Sequence, residues 1–381
     1  MNARKVLFFV TCFWFLLAAL DLAAQDLENL QFHGFATQGF LYSSHNNYLT
    51  LKSNEGSLQW TEGAFSVVDV LSDKLRVGLQ IHMYDMGQFG PNVLIDWASG
   101  DYKFDDRLGF RAGKVKVPFG LYNDSQDVDS LFLWVLLPQS LYPDDNRDYD
   151  LAELGGQVYG GLDLGRKAGR ILYAGHLGNN ALDASGGYMR NLASLGLTFP
   201  SPPSGRVYGG DLRWQTPIEG LEVGASAANY SLDGTGPEGS FHMPGSISLV
   251  YYAQWNRGKL HLAGEYYRDP LSLSFNTLAG PLFLPQDDRA WYPMIRYDLT
   301  KKLQVGSYYS YAVNKAADTS SPENYSRDWV VSGRYNFNSY FYGKLEGHFL
   351  HGTLLGYYQD TNPNGLQPST SMLAARVGFA F

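Results

Sequence analysis

The 381-residue chain holds a single cysteine, Cys12, and it falls in an apolar leader. Past that leader there is no thiol, so disulfide frameworks, thiolate metal sites and cysteine nucleophiles are excluded. Charge is scarce at 17% of residues, below the roughly 25% of soluble domains. The net balance of −8 is mildly acidic and argues against a nucleic-acid partner. No apolar run beyond the leader nears the ~18 residues of a membrane helix; the longest, Leu131–Pro138, is far shorter. No GxSxG, HExxH or phosphate-cradling glycine loop occurs. No catalytic residue, metal or cofactor is therefore expected. Asp144, Asn146, Asp148 and Asp150 alternate like the start of a calcium loop, but the required glycine is missing.

What the chain does have is tyrosine, phenylalanine and glycine: 27, 22 and 42 residues. That composition suits many short strands and turns. The beginning reads as a secretory signal over residues 1–24: Arg4 and Lys5, the apolar Val6–Leu20, then Ala23 and Ala24. Removing it takes the balance from −8 to −9, through Arg4, Lys5 and Asp21.

Residues 25–381 read as one domain of alternating segments. In the segment from Lys74 to Met86, Leu75, Val77, Leu79, Ile81 and Met83 share one face, while Arg76, Gln80, His82 and Tyr84 share the other. Such strands have one wet and one dry side. Tight turns at Ser72-Asp73, Asp105-Asp106, Ile218–Gly220, Arg257-Gly258 and Lys301 alternate with long polar loops. About sixteen strands result, with short turns at one rim and long loops at the other, which is the asymmetry of a transmembrane antiparallel β-barrel. Aromatic clusters such as Tyr251-Tyr252, Trp291-Tyr292 and Tyr308-Tyr309 read as interfacial girdles. A soluble sandwich or propeller is the competing fold; it would need polar outer faces.

The longest interruption follows the basic strand Arg107–Gly120 and runs over about residues 119–151. It is rich in aspartate: Asp124, Asp127, Asp129, Asp144, Asp145 and Asp148. Its apolar run at 130–137 argues that it is buried, because such a patch would be costly in water. Folded into the lumen, its acids would face a basic wall. Alternation puts Arg76, Arg107, Arg111, Arg213, Arg296, Arg334 and Arg376 inward. Lys114 and Lys116 fall on the other face unless Gly113 marks a bulge, and a bulge is the expected solution, because lysine facing lipid at midplane costs up to ~2–4 kcal/mol.

Gly113–Asp124, GKVKVPFGLYND, resembles the Gram-negative porin superfamily, most closely the phosphate-selective O and P type. The match covers about a dozen residues, a glycine and a basic residue leading to Pro-Phe-Gly-Leu before a long loop. The resemblance implies a homotrimer of sixteen-stranded barrels, each with a constriction loop in its lumen. The final strand, alternating to a terminal Phe381, resembles the assembly signal of outer-membrane proteins. The implied partners are the bilayer and its lipopolysaccharide, the outer-membrane assembly machinery, and small polar solutes or ions. The implied place is the cell outer membrane, and the implied function is passive diffusion. Phosphate-selective members line their channels densely with Arg and Lys, whereas this loop is acidic, so an anion-selective channel stands as the alternative. A barrel hydrolase or a structural barrel with a closed lumen is the alternative of another class.

Overall fold

The computed structural model describes residues 29–147, 151–184, 186–194, 196–278 and 280–381. The expected signal, with Cys12, lies outside these residues, as do Asp148 and Asp150.

Period-two patterning sets the architecture. The strands run β1 Leu30–Ser43, β2 Trp60–Val70, β3 Leu75–Met86, β4 Asn92–Lys103, β5 Gly109–Lys116 and β6 Ala152–Asp163. They continue as β7 Arg170–Ala181, β8 Ser204–Gln215, β9 Leu221–Gly236, β10 Gly239–Arg257, β11 Leu260–Asp269 and β12 Ser272–Thr277. The last are β13 Gly280–Pro285, β14 Asp288–Asp298, β15 Leu303–Asn314, β16 Tyr325–Asn336, β17 Phe341–His351 and β18 Ser369–Ala380. Neighbours pair antiparallel, and β1 pairs with both β2 and β18, which closes the sheet. β11 pairs directly with β14, so the β12–β13 hairpin stands outside the ring. Sixteen of the eighteen strands make the wall. Closure leaves no edge unpaired, which a lipid-facing sheet requires.

Along each wall strand, apolar side chains point out. Met83, Ile95, Leu212, Trp329, Leu345 and Val377 are all exposed on the outer face. Their neighbours in sequence, such as His82, Asp96, Lys344 and Arg376, are buried inside. That is the reverse of a soluble barrel and matches a wall that meets lipid. The expected turns all sit at one rim. At the other rim, two segments read from sequence as polar loops are strands instead. β9 and β10 extend past the wall as a hairpin, and β12 pairs onto β10. Phe241, Met243, Leu271 and Phe275 bury their side chains there, together with Leu192 of helix α1, Gly187–Ser194. Apolar contact, absent from a purely polar loop, orders this cap.

The girdle reading needs correction. In each pair of adjacent aromatics, alternation sends one ring inward. Tyr251 and Trp291 are exposed outside, whereas Tyr252, Tyr292, Tyr308 and Tyr342 are buried inside. The final strand behaves as its pattern indicates. Leu373, Val377 and Phe381 face out, and Phe381 exchanges backbone hydrogen bonds of 3.0 and 3.1 Å with Gly34.

Candidate functional site: a loop held inside the barrel

Between β5 and β6, the described residues 117–147 turn into the lumen, and local chemistry explains the turn. Pro118 has no N–H to continue the ladder. Gly120 adopts φ +67°, and a Cβ there would lie 2.6 Å from both Glu265 Oε2 and the Tyr142 hydroxyl. Its N–H donates to Ser226 Oγ at 2.9 Å, and the Leu121 N–H donates to Glu265 Oε2 at 3.0 Å. Only glycine fits that approach.

Buried irregular backbone must find partners, and here wall side chains supply them. Lys344 Nζ donates to the carbonyls of Asp129 and Trp134 at 2.8 and 2.9 Å. Arg334 donates to the carbonyls of Ser130 and Phe132 at 2.5 and 2.8 Å. Glu346 accepts from the N–H groups of Val135 and Leu136 at 3.0 and 2.9 Å. The inward tyrosines join them: Tyr308 donates to the Leu136 carbonyl at 3.0 Å, Tyr342 to Asp129 at 2.7 Å, and both Tyr142 and Tyr292 to Glu265. The apolar run expected to be buried packs here, with Leu133, Trp134 and Leu137 against Tyr292, Met294, Tyr308 and Val330.

Two ionic clamps fix the loop. Asp129, nearly buried, bonds Arg376 at 2.7 Å and Lys344 at 2.9 Å. Burial alone would push its carboxyl up, but those two cations hold it below the usual range. Arg376 also bonds Glu62 at 3.0 Å, and Glu62 meets His82 at 2.9 Å. Arg147 closes the second clamp from the loop's return leg, bonding Asp96 at 3.0 Å and reaching Glu62 at 3.5 Å. Each charge-assisted bond of this kind contributes about 1.5–3 kcal/mol.

The expected lumen residues divide into distinct groups. Arg76 is exposed at the short-turn rim, and Arg111, Arg213, Arg296, Arg334 and Arg376 face inward. Arg107 is corrected: it stands in the turn before β5, where Asp105 Oδ1 accepts its N–H at 2.7 Å, and not on a wall strand. Lys114 is also corrected. It pairs with Ala98 and the outward Leu154, and its amine reaches the Ile95 carbonyl at 2.6 Å. Gly113 has φ +127°, yet the β4–β5 register runs through it without a shift; the bulge lies in the β3–β4 ladder beside Asp96. Lys116 does enter the lumen. The β4–β5 ladder ends at Lys114, and through that open seam Lys116 reaches Asp127 at 2.5 Å.

Among the loop acids, Asp127 is fully buried with Lys116 and Gln80, and Asp145 receives the Tyr358 hydroxyl at 2.5 Å. Asp124 is exposed to lumen space, and Asp144 is partly buried. Sequence reasoning passed over Glu62, Asp96 and Arg147. The one signal was an arginine amid the acids of residues 144–150.

Further along the wall, on β4–β6, side chains bond one another. Arg111 donates to Asp101 at 3.0 Å and to Gln157 at 2.9 Å, and Tyr159 donates to Asp101 at 2.5 Å. A cavity of about 510 Å³ lies against this set, between Arg76, Trp97, Lys116 and Asp124.

Solved structures share this architecture. An anion-selective porin from Comamonas acidovorans aligns with TM-score 0.58 at 13% identity, covering 92% of this chain and 99% of its own. OmpF of Salmonella typhi, in complex with daunomycin, aligns with TM-score 0.59 at 13% identity, covering 92% and 97%. OmpT, an outer membrane protein of Vibrio cholerae, aligns in its trimer form with TM-score 0.56 at 10% identity, covering 92% and 99%. No protein-family model matches the chain, and no curated protein matches it. The fold is thus the closed sixteen-strand barrel of outer-membrane porins, shared across a wide distance in sequence.

Proposed function

We propose that this chain is an outer-membrane porin, a passive diffusion channel for small hydrophilic solutes and ions. One observation carries the reading: a lipid-type outer wall encloses a charged interior narrowed by a clamped loop. A sixteen-strand ring is wide enough for an aqueous channel, and lining charge then sets selectivity. The trimer form of the Vibrio cholerae neighbour fits a homotrimer.

The disposition of charge supports a preference for anions. The loop acids Asp127 and Asp129 are spent on Lys116, Lys344 and Arg376. Arg76, Arg296, Lys301 and Lys302 remain around the short-turn mouth. For a phosphate-selective channel the support is the Gly113–Asp124 resemblance alone. A second reading, a barrel with a closed lumen, draws support from how many wall strands grip the loop. A hydrolase has less: His82, His176 and His348 are clamped to carboxylates, and among the described residues no hydroxyl bonds them.

Purified protein in a planar bilayer should give steady, ohmic conductance, with a zero-current potential in a salt gradient of the sign for anion preference. Silent membranes overturn the channel in favour of the closed barrel.

A further inference from the structure

Most inward arginines are committed. Arg111, Arg213, Arg334 and Arg376 each hydrogen-bond carboxylates, hydroxyls or loop carbonyls. Arg296 differs. Its one partner among the described residues is Asp298, an ion pair of 3.5 Å without hydrogen-bond geometry. Asp298 is itself shared, since its other oxygen meets His261 Nε2 at 3.1 Å. The Arg296 Nε is buried beside Asp298, and the two terminal nitrogens of its guanidinium fork hold no hydrogen bond among the described residues.

That fork borders a cavity of about 330 Å³ beneath the loop. Gln254, His261 and Arg296 form its polar side, while Phe132, Leu133 and Trp134 form its apolar side. The apolar strip is held rigidly, because Arg334 and Lys344 bond the carbonyls of Phe132 and Trp134. Asn256 and His261 flank the turn at 258–259, so the cavity opens toward the short-turn rim. The volume lies in the range of small-molecule sites, which combine apolar lining with a few fixed polar groups.

We propose that this cavity is a subsite for small aromatic monocarboxylates. The carboxylate would sit bidentate on the two terminal nitrogens of Arg296, as the planar fork favours. The ring would lie against Phe132, Leu133 and Trp134, where edge and offset contacts are favourable. Inorganic phosphate would satisfy the fork but leave the apolar side unfilled, and a neutral aromatic would do the opposite. The use of this subsite in transport rests on the channel reading; binding itself does not.

Benzoate is the probe, with equilibrium dialysis on the intact folded barrel in detergent as the readout. Wild type should bind benzoate at least about tenfold more tightly than benzyl alcohol or phosphate, a difference of ~1.4 kcal/mol. Arg296→Gln should lose about tenfold, and Arg296→Lys, which keeps the charge without the fork, should lose less. Phe132→Ala should weaken benzoate more than acetate. Arg268→Gln, on the outer wall, should change nothing. Equal benzoate binding by wild type and Arg296→Gln overturns the subsite, as does equal binding of benzyl alcohol. Arg296-dependent binding by a protein that leaves bilayers silent supports the subsite and removes the channel.

Discussion

The barrel has two kinds of inner wall. On β16–β18, Arg334, Lys344, Glu346 and Arg376 spend their hydrogen bonds on the loop. On β4–β6, Asp101, Arg111, Gln157 and Tyr159 bond one another, and none bonds the loop among the described residues. Exposure follows the same division. Lys344 and Arg376 are 0% and 4% exposed, whereas Arg111 and Asp101 keep 32% and 22%. Lys344, Glu346 and Arg376 in the first wall are desolvated and must stay paired. In the second set, Arg111 and Asp101 pair with each other and keep part of their surface open to the lumen. The same residue types are structural on one side and, in the proposed channel, selective on the other.

The largest expected effect comes from breaking the grip. Asp129→Asn leaves Lys344 and Arg376 buried without their shared anion, and removing one partner of such a set costs about 3–5 kcal/mol. The loss should be local. Residues 119–147 should become open to limited proteolysis while the barrel keeps its strand spectrum. Single-channel conductance should rise, because the loop no longer holds its place across the lumen. Unchanged conductance with an intact loop would erase the distinction between the walls.

Much of this was legible in sequence, and the misses have physical causes. Alternation and turn spacing give the sixteen-strand ring, because a wall between lipid and water forces period-two patterning. The burial of Leu133–Leu137 follows from hydrophobicity alone. Partner choice across the lumen does not, because Asp129 meets Arg376 through the closure of the barrel, far from it in the chain. Lys114 and Lys116 show the limit well: they differ by one turn of the pleat, yet one faces outward and the other slips through a seam where the ladder stops. The β12–β13 hairpin was hidden because Pro281 and the glycine of its turn read as loop, while the burial of Phe275 that holds it is tertiary.

A smaller effect should follow on the self-paired wall. Arg111→Gln removes a half-open ion pair, worth about 0–1 kcal/mol, so melting should barely move. The zero-current potential in a salt gradient should shift toward cations, since Asp101 would be left facing the lumen uncompensated. A large loss of stability with no change in selectivity would instead place Arg111 with the gripping residues.

The smallest effect distinguishes two acids of the loop itself. Asp129 is gripped and its carboxyl is held low, so its contribution persists down to the acid range and fades only below about pH 4. Asp144 has no ion pair among the described residues: burial first, then the charge of Glu62, pushes its carboxyl up to about 7 against the weaker pull of Arg376 and Arg147. A carboxyl whose value is raised by folding binds its proton more tightly in the folded state. The folded loop therefore loses stability as pH climbs from near 4, the unfolded value, to about 7, and the penalty is constant above that. Asp144→Asn keeps the shape and abolishes the charge. The variant should match the parent at pH 4 and resist proteolysis of the loop better at pH 8. Because Asp144 is only partly buried, the gain should stay near or below about 1 kcal/mol. A variant weaker than the parent at pH 8 would mean that Asp144 is held as an anion, and so belongs with Asp129 among the clamps.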